Sequence, residues 1–248
     1  MLFSRIQSAL GDNVQTFFEP DQTSQLSDIL RRGPTVDTLS KVLIGRVTSD
    51  HILLGEFDKH VVIYRDPRDQ FVSMLLYLFY DFQLSGDQAG YDSCFAALEK
   101  KCEDPAGVSA IELYNKVAEC VGRAPVAVFN NLHKVQKEYI NAFSPHKACY
   151  EDLLDGHWAP LEAFLGLTLT QEAQVPREYN RVVRSKGYGD WRRWLNADDI
   201  EFTNTQWGKS IHALGYSLGD PIEGQVIAPE TTLDYVRQFD PQQNQPSQ

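Results

Sequence analysis

The run His60-Val61-Val62-Ile63-Tyr64-Arg65-Asp66-Pro67-Arg68-Asp69-Gln70-Phe71-Val72-Ser73 decides the fold class. Its apolar opening is continuous rather than alternating, the pattern of a parallel strand covered on both faces. Pro67 suits the first turn of a following helix, where its missing N–H costs nothing. That helix carries Phe71, Val72, Leu75, Leu76, Leu78 and Phe79, apolar on most sides, and is predicted to be buried. A buried strand feeding a helix is an α/β unit, and in such folds ligands bind at the carboxyl ends of the strands. Arg65 stands at that end, and Ser73 follows eight residues later, about two helical turns on. A guanidinium and a hydroxyl so placed can hold a phosphate, the first through a charge-assisted pair and the second as an added donor. The plainer reading makes Arg65, Asp66, Arg68 and Asp69 a surface ion-pair cluster and Ser73 an ordinary helix residue.

Outward from this run, the alternation of strands and helices continues. Leu2, Phe3, Ile6 and Leu10 fall on one helical face, Gly11-Asp12-Asn13 breaks it, and Val14–Phe18 reads as a strand ending at Glu19-Pro20. Residues 22–31 read as a helix closed by Arg32-Gly33-Pro34, and Lys41–Val47 as a second apolar strand. Residues 91–142 are helical in pattern, with breaks near 105–107 and 122–125; Lys147–Tyr150 is a short strand, and a helix ends at Leu165-Gly166-Leu167. The expected architecture is a mostly parallel central sheet flanked by helices, in one domain over residues 1–228. Residues 229–248, polar and rich in Gln and Pro, are expected to be a disordered tail.

Bulk composition limits the partners. A net charge of -11 argues against a general nucleic-acid binder, which needs surplus Lys and Arg, but permits a small anion held by local cations. Cys94, Cys102, Cys120 and Cys149 form no C-x-x-C pair, and neither they nor the six histidines show metal-ligand spacing. No run approaches the roughly 20 apolar residues of a membrane span, and the first residues lack a signal-peptide pattern. The expectation is a cytoplasmic chain that binds no metal.

Three segments, in order, resemble the sulfotransferase family that uses 3′-phosphoadenosine 5′-phosphosulfate (PAPS). In that family a strand ends in Arg-(Asp/Asn)-Pro-(Arg/Lys)-Asp followed by x-x-x-Ser, which Arg65–Ser73 matches in full. Tyr150-Glu151-Asp152-Leu153 looks like the family's Tyr-Glu-Asp-Leu element. Arg184-Ser185-Lys186-Gly187-Tyr188-Gly189-Asp190-Trp191 is similar to its Arg-Lys-Gly-x-x-Gly-Asp-Trp segment. The resemblance, over about residues 14–216, implies a three-layer sulfotransferase-like sandwich with PAPS as co-substrate. It implies that Arg65 and Ser73 bind the donor's 3′-phosphate and that Tyr150 lies near the adenine. It also implies that Arg184, Ser185, Lys186 and Gly187 close over the phosphate, Lys186 standing in for the family's Lys.

Sulfuryl transfer needs a base for the acceptor's proton and cations for charge on the bridging oxygen. Ile44-Gly45-Arg46-Val47 lacks the Lys and His of the cytosolic branch, while Phe18-Glu19-Pro20 looks like the Glu context of carbohydrate-acting branches. Glu19 is therefore the candidate base and Arg46 the candidate sulfonate-side cation, with a small-molecule or carbohydrate hydroxyl as acceptor. The family's opening Ser-Gly-(Thr/Ser)-(Thr/Ser) loop is not in this sequence, and Met1–Ile6 looks like the helix that follows it. Two other readings are kept: a catalytically impaired relative that binds adenosine 3′,5′-bisphosphate or serves as an interaction module, and an unrelated nucleotide-binding α/β protein. The last is disfavoured, since no G-x-x-x-x-G-K-[ST] or G-x-G-x-x-G occurs.

Overall fold

The computed structural model describes residues 2–19, 37–43, 55–126, 128–169, 187–219, 222, 224 and 226–244. In chain order they form helix α1 (Leu2–Leu10) and strands β1 (Gln15–Phe18), β2 (Thr38–Lys41) and β3 (Val61–Tyr64). Helices α2 (Pro67–Tyr77), α3 (Tyr80–Ser85), α4 (Gln88–Glu103), α5 (Ala110–Cys120) and α6 (Val128–Phe143) follow, then strand β4 (His146–Cys149). Helices α7 (Tyr150–Leu154), α8 (Ala159–Leu165), α9 (Trp191–Trp194), α10 (Ala197–Ala213) and α11 (Pro229–Arg237) come next, and Pro241–Asn244 closes as a 3-10 turn. The chain is thus mixed α/β. It divides into two compact units, Met1–Tyr64 with Asn131–Asn180 and Arg65–Asn130 with Arg181–Gln248. The helix expected over 22–31 and much of the apolar run to Val47 lie outside the described residues.

The first unit holds the strands. β1 and β2 pair in parallel with Gln15 opposite Thr38, and β3 and β4 pair in parallel with Val61 opposite His146. The parallel character is as expected, but among the described residues the strands form two separate two-stranded sheets rather than one central sheet. The β1 strand ends at Phe18, and Glu19, whose amide still donates to Lys41 O, turns to φ +49°. Alternation then sorts the side chains. Leu39, Val61 and Ala148 join Ile6 of α1 and Leu153 and Leu161 of α7 and α8, while Val62 joins Phe17 and, from α6, Tyr139 and Phe143. β3 is less covered than its sequence suggests: only Val62 is buried, Val61 and Tyr64 are half-buried, and Ile63 is 46% exposed. β2, Thr38–Lys41, shares only Lys41 with the expected apolar strand, of which residues 44–47 lie outside the described residues, and Val42 packs just past the end of β2.

The second unit is helical. Phe71, Val72, Leu75 and Leu76 of α2 are buried, as their all-round apolar pattern predicts, and α4, α5, α10 and α11 surround them with Leu98, Val117, Trp207 and Val236. Helix starts are set by side chains. Ser109 caps α5, and Asn196 and Asp199 form a reciprocal capping box on α10. The buried Asp199 carboxylate also accepts the amides of Ala110 and Ile111, so one carboxylate ties the first turns of two helices.

The expectation of a disordered tail from 229 is corrected here. Pro229 opens α11, whose Thr232 and Val236 are buried, and Phe239 is buried just after it against Tyr77, Tyr80 and Tyr235. The polar composition is averaged over the whole stretch, whereas Leu233, Val236 and Phe239 recur at helical spacing and find a core to enter. Only residues 245–248 of that stretch lie outside the described residues.

Candidate functional site

The four charges that open α2 are not a surface cluster: Asp66, Arg68 and Asp69 are 5%, 1% and 1% exposed. Buried charges persist only when paired and hydrogen-bonded, and each of these is. Asp66 Oδ1 accepts from the Arg68 amide, capping α2, and its two oxygens take Arg68 Nε and Nη2 at 2.9 and 2.7 Å. Arg68 Nη2 also donates to Ser217 O at 2.8 Å, and its guanidinium lies 3.7 Å from the centre of a Trp191 ring. Gly219 borders this stack so closely that a Cβ there would meet the Trp191 ring at 3.1 Å.

On this platform, Arg65, Ser73 and Gly187 come together. Arg65 Nη1 donates to Ser73 Oγ at 3.0 Å, and Arg65 Nη2 donates to Gly187 O at 3.2 Å. Arg65 precedes the N-cap of α2, and its long side chain reaches along the helix to Ser73. Asp69, one turn after Arg65, approaches its Nη2 at 4.0 Å, and the Arg65 side chain stays 20% exposed. The same Asp69 carboxylate accepts the Gly189 amide at 2.5 Å and the Trp191 amide at 3.0 Å. Burial pushes the Asp69 carboxyl up, opposed chiefly by the Gly189 amide and then by Arg65. Gly189 takes φ +81°, a conformation that suits glycine and turns the chain from Gly187 toward Trp191. A partly exposed guanidinium, a hydroxyl and a glycine-bearing segment on one buried ionic base make an arrangement that can take an oxyanion.

The other expected site residues belong to the first unit or fall outside the described residues. Glu19 ends β1: its amide donates to Lys41 O at 2.8 Å, and its carboxylate is ion-paired with Lys41 Nζ. That ammonium also lies 4.2 Å from the centre of the Phe18 ring. Tyr150 is the first residue of α7 and is half-buried, beside a Cys149 thiol that donates to Glu151 at 3.1 Å. Arg46, Arg184, Ser185 and Lys186 lie outside the described residues.

Two residues are added by the structure. Lys41 was read only as part of a strand, and its pairing with Glu19 depends on the β1–β2 register, which no local pattern reveals. Asp69 was read as a motif member without a role, although its spacing of four from Arg65 was a usable signal. Trp191, Trp194 and Trp207 are buried packing residues. Among the described residues no helix is long and apolar enough to cross a membrane. Compared with known proteins, the chain matches no family model, no curated protein and no solved structure.

Proposed function

We propose that the chain is a PAPS-dependent sulfotransferase of the three-layer sulfotransferase-like type, with Arg65 and Ser73 holding the donor's 3′-phosphate beside the Gly187–Trp191 segment. The observation that supports this reading is the convergence of Arg65, Ser73 and Gly187, residues separated by up to 122 positions, on one partly exposed guanidinium. Ser73 accepts from Arg65 through a lone pair, and a hydroxyl in that role retains a proton to donate to an oxyanion. In the reaction, a hydroxyl acceptor forms the new O–S bond as the S–O bond to the 5′-phosphate breaks. Adenosine 3′,5′-bisphosphate leaves, and the acceptor's proton passes to a base, the role that the sequence resemblance implies for Glu19.

Calorimetry with adenosine 3′,5′-bisphosphate tests the phosphate site. Arg65→Ala removes a charged contact of about 1.5–3 kcal/mol, a loss of roughly tenfold to more than a hundredfold in affinity. Ser73→Ala is expected to lose less, since a neutral donor contributes about 1 kcal/mol. Unchanged affinity in Arg65→Ala would remove the 3′-phosphate assignment. Tight binding with no turnover on any hydroxyl acceptor would favour a nucleotide-binding role without catalysis.

A further inference from the structure

Asp69 occupies a position that the phosphate contacts do not require. It is 1% exposed, and nothing about holding an anion calls for a carboxylate four residues from the arginine that grips it. A like charge at that distance weakens anion binding, unless the carboxylate is committed elsewhere. It is committed. Oδ2 takes the Gly189 amide and Oδ1 the Trp191 amide, from a segment 120 and 122 residues away in the chain. Three bonds therefore fasten this segment to the start of α2: Asp69 to Gly189, Asp69 to Trp191, and Arg65 to Gly187 O. The Trp191 ring adds a fourth contact by lying on Arg68.

We propose that Asp69 is a positioning residue, a latch that holds the Gly187–Trp191 segment closed on α2 and so fixes the Arg65 guanidinium between Ser73 and Gly187. The ligand half of this proposal rests on the phosphate-site reading above; the latch half rests on the backbone contacts alone. The chemistry demands a carboxylate. Two converging N–H donors need two acceptor oxygens on one planar group. Asn has the same shape but one acceptor, and it would turn an NH₂ group toward one of the two amides. Asp69→Asn therefore opens one bond of the latch at constant volume. The charges around Asp69 are Arg65, which attracts it, and Asp66, which repels it and is itself neutralised by Arg68.

The test is amide hydrogen exchange and ¹H–¹⁵N spectroscopy on the full chain, with calorimetry of adenosine 3′,5′-bisphosphate alongside. In Asp69→Asn, exchange is expected to accelerate about tenfold or more at whichever of Gly189 and Trp191 faces the NH₂ group while the amides of α5 and α10 hold, as befits one charged hydrogen bond lost locally. Affinity is expected to fall about tenfold in the same variant. Unaltered exchange at both amides overturns the latch and leaves the phosphate reading standing. Accelerated exchange with unchanged affinity overturns the positioning role. Absence of any binding by the wild type overturns that role together with the phosphate reading. The wild type gives a check that needs no variant. On acidification the Gly189 and Trp191 amide resonances must shift together through one titration, because both bond to the same carboxylate, and independent shifts overturn the proposal.

Discussion

Glu19 shows how much one residue can concede to its position. It is a non-glycine residue at φ +49°, a conformation that costs about 1–3 kcal/mol and that persists where the surroundings enforce it. The Lys41 ion pair, partly exposed on both sides, returns little of this. Glu19→Gly is therefore expected to raise stability, by up to about 1 kcal/mol after the added freedom of the unfolded glycine is subtracted. Urea unfolding measures it, and a less stable variant would show that the backbone at 19 is not strained. Glu19→Gln keeps the backbone and removes the proposed base, so the proposed sulfuryl transfer is expected to fall about 10²–10⁴-fold; near-normal turnover would take Glu19 out of the mechanism. At this scale the sequence was informative where chemistry is local. Arg65 lies just before α2 and Ser73 within it, eight residues on, so their contact is local in sequence. Lys41 and the bonds of Asp69 to Gly189 and Trp191 were not legible, because each depends on a partner that only the folded chain supplies, whereas the spacing of Asp69 from Arg65 was.

Helix α11 carries the same lesson among the elements. Read by composition, residues 229–248 look like a solvated tail; read by the positions of Leu233, Val236 and Phe239, they are an apolar face looking for a core. The amount of polar sequence hid the pattern. Phe239 lies at ring-centre distances of 5.2 Å from Tyr235 and 5.6 Å from Tyr80, and it is buried. Phe239→Ala is expected to cost about 3–5 kcal/mol by leaving a cavity among these rings, read as a drop in the urea midpoint. A change under about 0.5 kcal/mol, the scale of an exposed position, would restore the tail reading. The α2 helix was the most legible element, since continuous apolar strand, proline at the helix start and all-round apolar helix each leave a mark in the sequence. The strand pairs were less so: four-residue strands carry too little pattern to fix where β2 begins.

Across the whole molecule, stability should depend on pH through a group outside the candidate site, at the start of the β3 run. His60 Nδ1 lies 2.7 Å from the Tyr139 hydroxyl, and its ring stacks on Phe143. Burial lowers its pKa from 6.5, with a bond at the Phe57 backbone opposing. The fold therefore prefers neutral His60: the stabilisation is full above about pH 6.5 and is lost as pH falls through the lower folded value. Urea unfolding from pH 7 to 5 should show a smaller loss of stability in His60→Gln than in the wild type, and equal losses would assign the acid sensitivity to other groups. The long separations within the second unit also bear on how the chain is made. Asp69 leaves the ribosome 120 residues before Gly189, and Arg68 149 residues before Ser217. At cellular translation speeds the first of these gaps lasts roughly 6–24 s. Through that interval the nascent chain displays two charges without their final partners, next to Phe71, Leu75 and Phe79, which are fully buried only in the finished fold. Such a chain should be a strong client for chaperones that bind at the ribosome exit.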